Sequence, residues 1–118
     1  MSFVFAALIQ ASVAGYPADA PCDSFGDGST VAMVACFASQ SQIWDKRLND
    51  EYRRALARGE VDRGKLRQAQ RAWLRFRDQN CATYSTVNGS ISRILSAKCW
   101  RDMTRDRTIE LREMSWVG

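Results

Sequence analysis

Apolar positions recur every third or fourth residue in three separate stretches of this chain, the period of amphipathic helices packed on a partner. In the first, Val34, Phe37, Ser41, Trp44, Leu48, Tyr52 and Ala55 form one seam. The spacing predicts a helix over residues 31–56, with Ser29 or Thr30 as its cap and Arg58-Gly59 as its stop. The second stretch opens at Asp62, whose charge suits the positive end of a helix, and fades between Cys81 and Tyr84. At 100° per residue, Leu66, Ala69, Trp73, Phe76 and Asn80 fall within about 80° of one another. That narrow seam is expected to face the core, which would make this helix the middle of the bundle. Arg63, Arg67, Arg71 and Arg75 then form a drifting basic stripe on the other side.

Asn88-Gly89-Ser90 reads as a turn, with Ser90 or Ser92 as the next cap. The third helix follows through Ile91, Ile94, Leu95, Cys99, Met103, Thr108, Leu111 and Met114. Its outer faces mix Asp102, Asp106, Glu110 and Glu113 with Arg101, Arg105 and Arg112, a pattern typical of a solvated helix. No period-two run bounded by turns predicts a strand. Two short connections between long helices make neighbours antiparallel. The expected fold is all-α: a small antiparallel three-helix bundle. Phe37, Trp44, Tyr52, Trp73 and Phe76 would supply its aromatic core, while Trp100 falls off the main seam and Trp116 sits at the C-terminal fringe.

Residues 2–15 change the picture at the N-terminus. They are apolar, too short to span a bilayer, and followed by small residues, as in a secretory leader. No Lys or Arg precedes them. Residues 1–20 are therefore read as leader and 21–118 as one domain, with cleavage after Ala14, Gly15 or Ala20 and a secreted or periplasmic destination. The remaining roughly 100 residues lie near the small end of what a core holds together unaided. Four cysteines in an exported chain of that size point to two disulfides. Up-down-up topology gathers Cys22, Cys36, Cys81 and Cys99 at one end; Cys22–Cys36 and Cys81–Cys99, each closing a loop of about 15 to 19 residues, are favoured, and the crossed pairings stay open.

Little in the composition carries catalysis. The chain has no histidine, so it lacks the commonest general base and metal ligand. The cysteines form no C-x-x-C knuckle, so neither a metal nor a cofactor is expected. Ser85, Ser90, Ser92 and Ser96 have no base to activate them, and paired cysteines offer no thiolate. Asp78, Asp102 and Asp106 have arginines nearby, which lower a carboxylate's pKa instead of raising it toward an acid catalyst's range. A formal charge of +4 is modest. The basic stripe suits weak contact with an anionic envelope surface, but with its aromatics on the opposite seam it lacks the stacking platform of a nucleic-acid binder.

The order Cys22, Met33-x-x-Cys36, Leu48-Asn49-x-x-Tyr52, Leu66-x-x-Ala69-Gln70-x-x-Trp73-x-x-Phe76-Arg77-Asp78-x-x-Cys81, Gly89-Ser90, Cys99 and Thr104-x-x-Arg107-x-x-Glu110-Leu111 resembles the LprI-type lysozyme-inhibitor N-terminal domain family. The resemblance spans nearly the whole chain after the leader. Family members often carry Gly-Gly-Ser where this chain has Asn88-Gly89-Ser90, and no lipid-attachment motif precedes Cys22. The resemblance implies a small exported helical protein that binds without catalysing. Its expected partner is a lysozyme or another cell-wall hydrolase; alternatives are neutralisation of a secreted toxin, as by an immunity protein, and a structural envelope module. Lysozymes are typically basic, so long-range steering toward this chain would be repulsive. Contact would then fall to a local acidic patch at Asp102, Asp106 and Glu110, or to the Asn88-Gly89-Ser90 loop entering a saccharide cleft. A plain turn and helix cap is the simpler reading of that loop.

Overall fold

The computed structural model describes residues 12–22, 29–58 and 60–116. Most of the expected leader and Gly59 of the expected helix stop lie outside the described residues. Three helices make up the domain: α1 (Thr30–Arg58), α2 (Arg63–Tyr84) and α3 (Ile91–Trp116). The caps follow the sequence. Ser29 Oγ accepts the amide of Ala32 at 3.1 Å, and Asp62 Oδ1 accepts that of Lys65 at 2.8 Å. Each satisfies an amide that the first helical turn leaves without an internal partner.

Cross-helix partners give the directions. Gln40 meets Arg101, Trp44 meets Thr108 and Glu51 meets Arg112, so α1 and α3 rise together. Gln70 meets Arg107, Arg77 meets Thr104 and Cys81 meets Cys99, so α2 runs opposite to α3. Both α1 and α2 pack chiefly against α3, which is therefore the central helix; the expectation that α2 stood in the middle is corrected. Leu48, Ala55, Leu66 and Leu111 form the buried cluster, joined by Tyr52, Leu56, Val61, Trp73 and Met114. Burying each large aliphatic side chain stabilises the fold by about 1.5–3 kcal/mol. The disulfides are Cys22–Cys36 and Cys81–Cys99, with Cα atoms 5.5 and 5.4 Å apart.

The seam of α2 is rotated from its expected place. Leu66, Gln70, Arg77 and Cys81 are buried and Trp73 is half-buried, whereas Phe76 is 57% exposed and Ala69 is also exposed. The true seam, 66-70-73-77-81, is as helical as the expected one but carries a glutamine and an arginine. The reason is the neighbour. Arg77 lies over the rings of Trp73 and Trp100, 5.1 and 3.9 Å from their centroids, and a guanidinium stacked on aromatic faces is tolerated where an isolated cation is not. Trp100, expected off the seam, is thus half-buried over α2.

A second departure precedes α1. Ser12–Val13 and Tyr16–Pro17 pair as a two-residue antiparallel ladder, β1 and β2, where no strand was expected. Ala14 and Gly15 make the turn with φ of 51° and 87°, the left-handed conformations that tight hairpins demand. A Cβ on Gly15 would also sit 3.0 Å from Arg112 Nη2, so glycine lets the guanidinium approach. Tyr16 and Asp19, both read as leader, are fastened to the bundle. The Tyr16 ring packs edge-on against Trp44 at 5.4 Å, and its hydroxyl donates to the buried carboxylate of Glu51. Asp19 Oδ1 accepts the Trp44 indole N–H at 2.7 Å.

Candidate functional site

The end of the bundle where α2 passes into α3 is chemically unlike the rest of the surface. A quarter of the chain is charged, yet no residue from 79 to 92 carries a charge. Locally, hydroxyls stop the helix. Thr83, Ser85 and Thr86 each donate to the carbonyl three residues earlier at 2.6 Å, an alternative to continued helical bonding that favours helix ends. The amides of Ser85, Thr86 and Val87 also bond three residues back, at 3.1–3.2 Å, tightening the chain. Gly89, with φ +87° and open space around it, then reverses direction. Ser92 and Arg93 start α3 with amide bonds to the carbonyls of Gly89 and Ser90.

This tip is braced from below. The Cys81–Cys99 bridge ties its two sides, and the Asn80 amide donates to Met103 Sδ at 3.2 Å. Above the bridge, Tyr84, Val87 and Ile91 are 39–46% exposed, and Asn88, Gly89 and Ser90 are fully on the surface. Fixing a loop before it binds removes part of the entropy cost of association.

The acidic candidates sit elsewhere. At 1.5 Å per residue, Asp102, Asp106 and Glu110 lie roughly 16 to 28 Å along α3 from Ile91. They do not join the tip in one surface. Asp102 is engaged by Lys98 at 2.6 Å, Arg101 at 2.7 Å and Arg105 at 3.5 Å. Burial alone would raise its pKa, but the hydrogen bonds from Lys98 and Arg101, and their charges, outweigh burial and hold it below the ordinary carboxylate value. Asp106 pairs with Arg105 at 3.1 Å and Glu110 with Arg107, although both carboxylates remain more than half exposed.

Sequence reasoning missed the buried polar network because its members look like surface residues. Arg107, 8% exposed, donates to Gln70 Oε1 at 3.0 Å across α2 and α3. Arg77 reaches Thr104 Oγ1 at 3.4 Å, with Asp45 and Asp78 beyond. Glu51, 1% exposed, gathers Tyr16, Arg54 and Arg112. Burial and the hydrogen bond to Glu51 push the Tyr16 pKa up, against the opposing pull of Arg112. The available signal was the 4-3-4-4 spacing of Leu66, Gln70, Trp73, Arg77 and Cys81. The resemblance motif Gln70, Trp73, Arg77 and Leu48 with Tyr52 therefore maps onto the framework, while Asp78 and Phe76 face outward.

An open cleft of about 760 Å³ lies between residues 18–22, the start of α1 and the stretch 94–109 of α3, floored by Met33, Phe37, Ile94 and Ile109. Its rim charges are joined to one another: Arg101 and Arg105 approach Asp19 to 3.7 and 3.8 Å. Among the described residues no three His, Cys, Asp or Glu side chains gather as a metal would require. No described helix is long and apolar enough to cross a membrane.

Comparison with known proteins agrees with this framework. The sequence model of a family described as Lysozyme inhibitor LprI matches residues 22–111, from the first disulfide cysteine to the buried leucine of α3. An uncharacterized protein of Rhizobium meliloti (strain 1021) is 34% identical, the match covering 73% of this chain and 73% of the relative. No solved structure matches. The resemblance read from the ordered cysteines and the α2 motif is thus shown by the family match: the chain belongs to the LprI lysozyme-inhibitor family.

Proposed function

We propose that this protein inhibits a lysozyme or a related peptidoglycan-cleaving enzyme by direct contact, and that the inhibitory element is the tip formed by residues 84–91. The observation that carries the reading is the braced, uncharged and partly apolar tip on a protein of net charge +4. A basic enzyme would be repelled by most of this surface, whereas a neutral tip presents no like charge at the point of contact. Tyr84, Val87 and Ile91 supply apolar area, and Asn88 and Ser90 supply hydrogen-bonding groups of the kind a saccharide cleft accepts. The exposed carboxylates of Asp106 and Glu110 lie too far along α3 to share that contact and serve at most as a secondary patch.

Binding without catalysis follows from the same chemistry. The chain has no histidine, all four cysteines are bridged, and the carboxylates of Asp102, Asp106 and Glu110 are held by arginines. The two disulfides support an extracytoplasmic location, secreted or periplasmic, reached by a cleaved leader. The contacts of Tyr16 and Asp19 favour cleavage after Ala14 or Gly15 over cleavage after Ala20, which would strip the buried Glu51 of its tyrosine. The test is a turbidity assay of cell-wall lysis by a panel of lysozymes and bacterial lytic enzymes. Slowing of at least one at micromolar inhibitor is expected; no effect on any of them would reject the reading.

A further inference from the structure

Most arginines of this protein are paired or stacked within the fold, whereas Arg58, Arg93 and a row on α2 are exposed and have no carboxylate partner among the described residues. On α3, Arg101, Arg105, Arg107 and Arg112 all bond carboxylates, and Arg77 of α2 is stacked and paired. Arg63, Arg67, Arg71 and Arg75 of α2 are exposed, starting near the azimuth of the buried seam and winding away from it, and no carboxylate among the described residues comes within ion-pair distance of them. No acidic residue occurs from position 63 to 77. Helix physics disfavours this arrangement twice. Like charges four residues apart repel, and the cations begin in the first turn, where the helix dipole is positive and no acid is present. The Asp62 cap offsets part of the cost at the first turn, but no carboxylate among the described residues offsets the repulsion along the row.

We propose that this row is a binding surface for a linear phosphodiester polymer without bases, such as an anionic polyol-phosphate chain of the cell envelope. Successive arginines rise about 6 Å and rotate about 40°, so the row climbs about 18 Å while winding about 120° around α2. A flexible chain with anions at similar intervals can follow that path. A planar membrane meets only part of it. Arginine presents two parallel N–H donors to a phosphate, which lysine does not. A nucleic acid strand would want aromatic platforms among the cations, and the row has none: Phe76 lies on a separate flank, about 100° beyond Arg75. The row lies on the first part of α2 and the tip at its C-terminal end and beyond, so a bound polymer leaves the tip free. The protein would then be held at the wall, where wall-cleaving enzymes act.

The test uses the intact protein and fluorescently labelled poly(glycerol phosphate), titrated by anisotropy at several salt concentrations. Binding that weakens with salt is expected, with a log–log slope of about 3, the counterion release of about four phosphate contacts on a single chain. Replacing Arg63, Arg67, Arg71 and Arg75 together by Gln, a good helix former, should lower affinity at least tenfold while leaving the circular dichroism and any enzyme inhibition unchanged. An Arg71→Gln/Arg75→Gln double variant, expected to lose part of the affinity, serves if the quadruple variant misfolds. Replacing Arg58 and Arg93, exposed cations off the row, should change affinity less than twofold. The proposal is overturned if the row variants bind like the parent. It is equally overturned if the Arg58 and Arg93 control loses as much as the double variant, or if phosphatidylglycerol vesicles or a single-stranded oligonucleotide bind more tightly than the polymer.

Discussion

Replacing Arg77 is the sharpest test of how α2 is seated. The side chain is 8% exposed, its guanidinium lies over Trp73 and Trp100, and it reaches Thr104. A desolvated cation–π contact contributes up to about 2 kcal/mol, and here the nearer ring, at 3.9 Å, should supply most of it. Truncation also removes the aliphatic stem that packs between the helices, about another 1 kcal/mol. Arg77→Ala is therefore expected to cost about 3 kcal/mol. Arg77→Lys, which keeps charge and stem but not the flat face, should cost about 1–2 kcal/mol. Since 1 kcal/mol moves the melting point by about 4–8 °C in a domain near this size, Arg77→Ala should melt about 12–24 °C lower. Phe76→Ala is the control: 57% exposed, it should cost below about 1 kcal/mol. Urea denaturation followed by helical circular dichroism measures all three. A loss under about 0.5 kcal/mol for Arg77→Ala, or a larger loss for Phe76→Ala, would refute the seating described here.

Tyr16→Phe removes a donor from the buried Glu51 and should cost about 1–3 kcal/mol by the same denaturation measurement. If the exported chain keeps Tyr16, its intact mass should begin at Gly15 or Tyr16, and a mature chain beginning at Pro21 would contradict this. Asp102 has a pKa below its ordinary value of 3.8, so its pairing contributes stability that is present above that value and lost as pH falls through the folded pKa. Asp102→Asn should therefore flatten the acid limb of the stability–pH curve below about pH 4 and leave its shape above pH 5 unchanged. Cys81→Ser/Cys99→Ser should cost about 3 kcal/mol, the chain-entropy value for a closed loop of this size. It should also speed proteolysis at residues 84–91 before any other site.

Helix positions, both assigned caps and the disulfide pairing were legible because each depends on local spacing: Ser29 and Asp62 stand one residue before their helices, and each bridge closes a short loop. The rotation of α2 was not. Two seams fit the period equally well, and the apolar one, with Phe76 and Ala69, looked better until Trp100 arrived from another helix to stack on Arg77. Burial of an arginine is a property of its partners, which sequence spacing does not reveal. Tyr16 and Asp19 were hidden for a related reason. They follow an apolar run that reads as leader, and only Glu51, Trp44 and the α3 arginines show what they hold. The tip was legible as a turn. Its lack of charge was visible in the letters, but its exposure and its bracing through Asn80, Met103 and the Cys81–Cys99 bridge required the fold.

The claim that the tip is the inhibitory element is tested most directly by one comparison in the turbidity assay. Val87 is exposed and lies outside both helices, so Val87→Lys places a cation on the tip without disturbing the core. Wild-type protein should slow cell-wall lysis by a basic lysozyme at micromolar excess, and Val87→Lys, folded by circular dichroism, should lose at least tenfold in potency. Equal potency of the two proteins against an enzyme that the wild type slows, or no slowing of any enzyme of the panel by the wild type, would contradict the account.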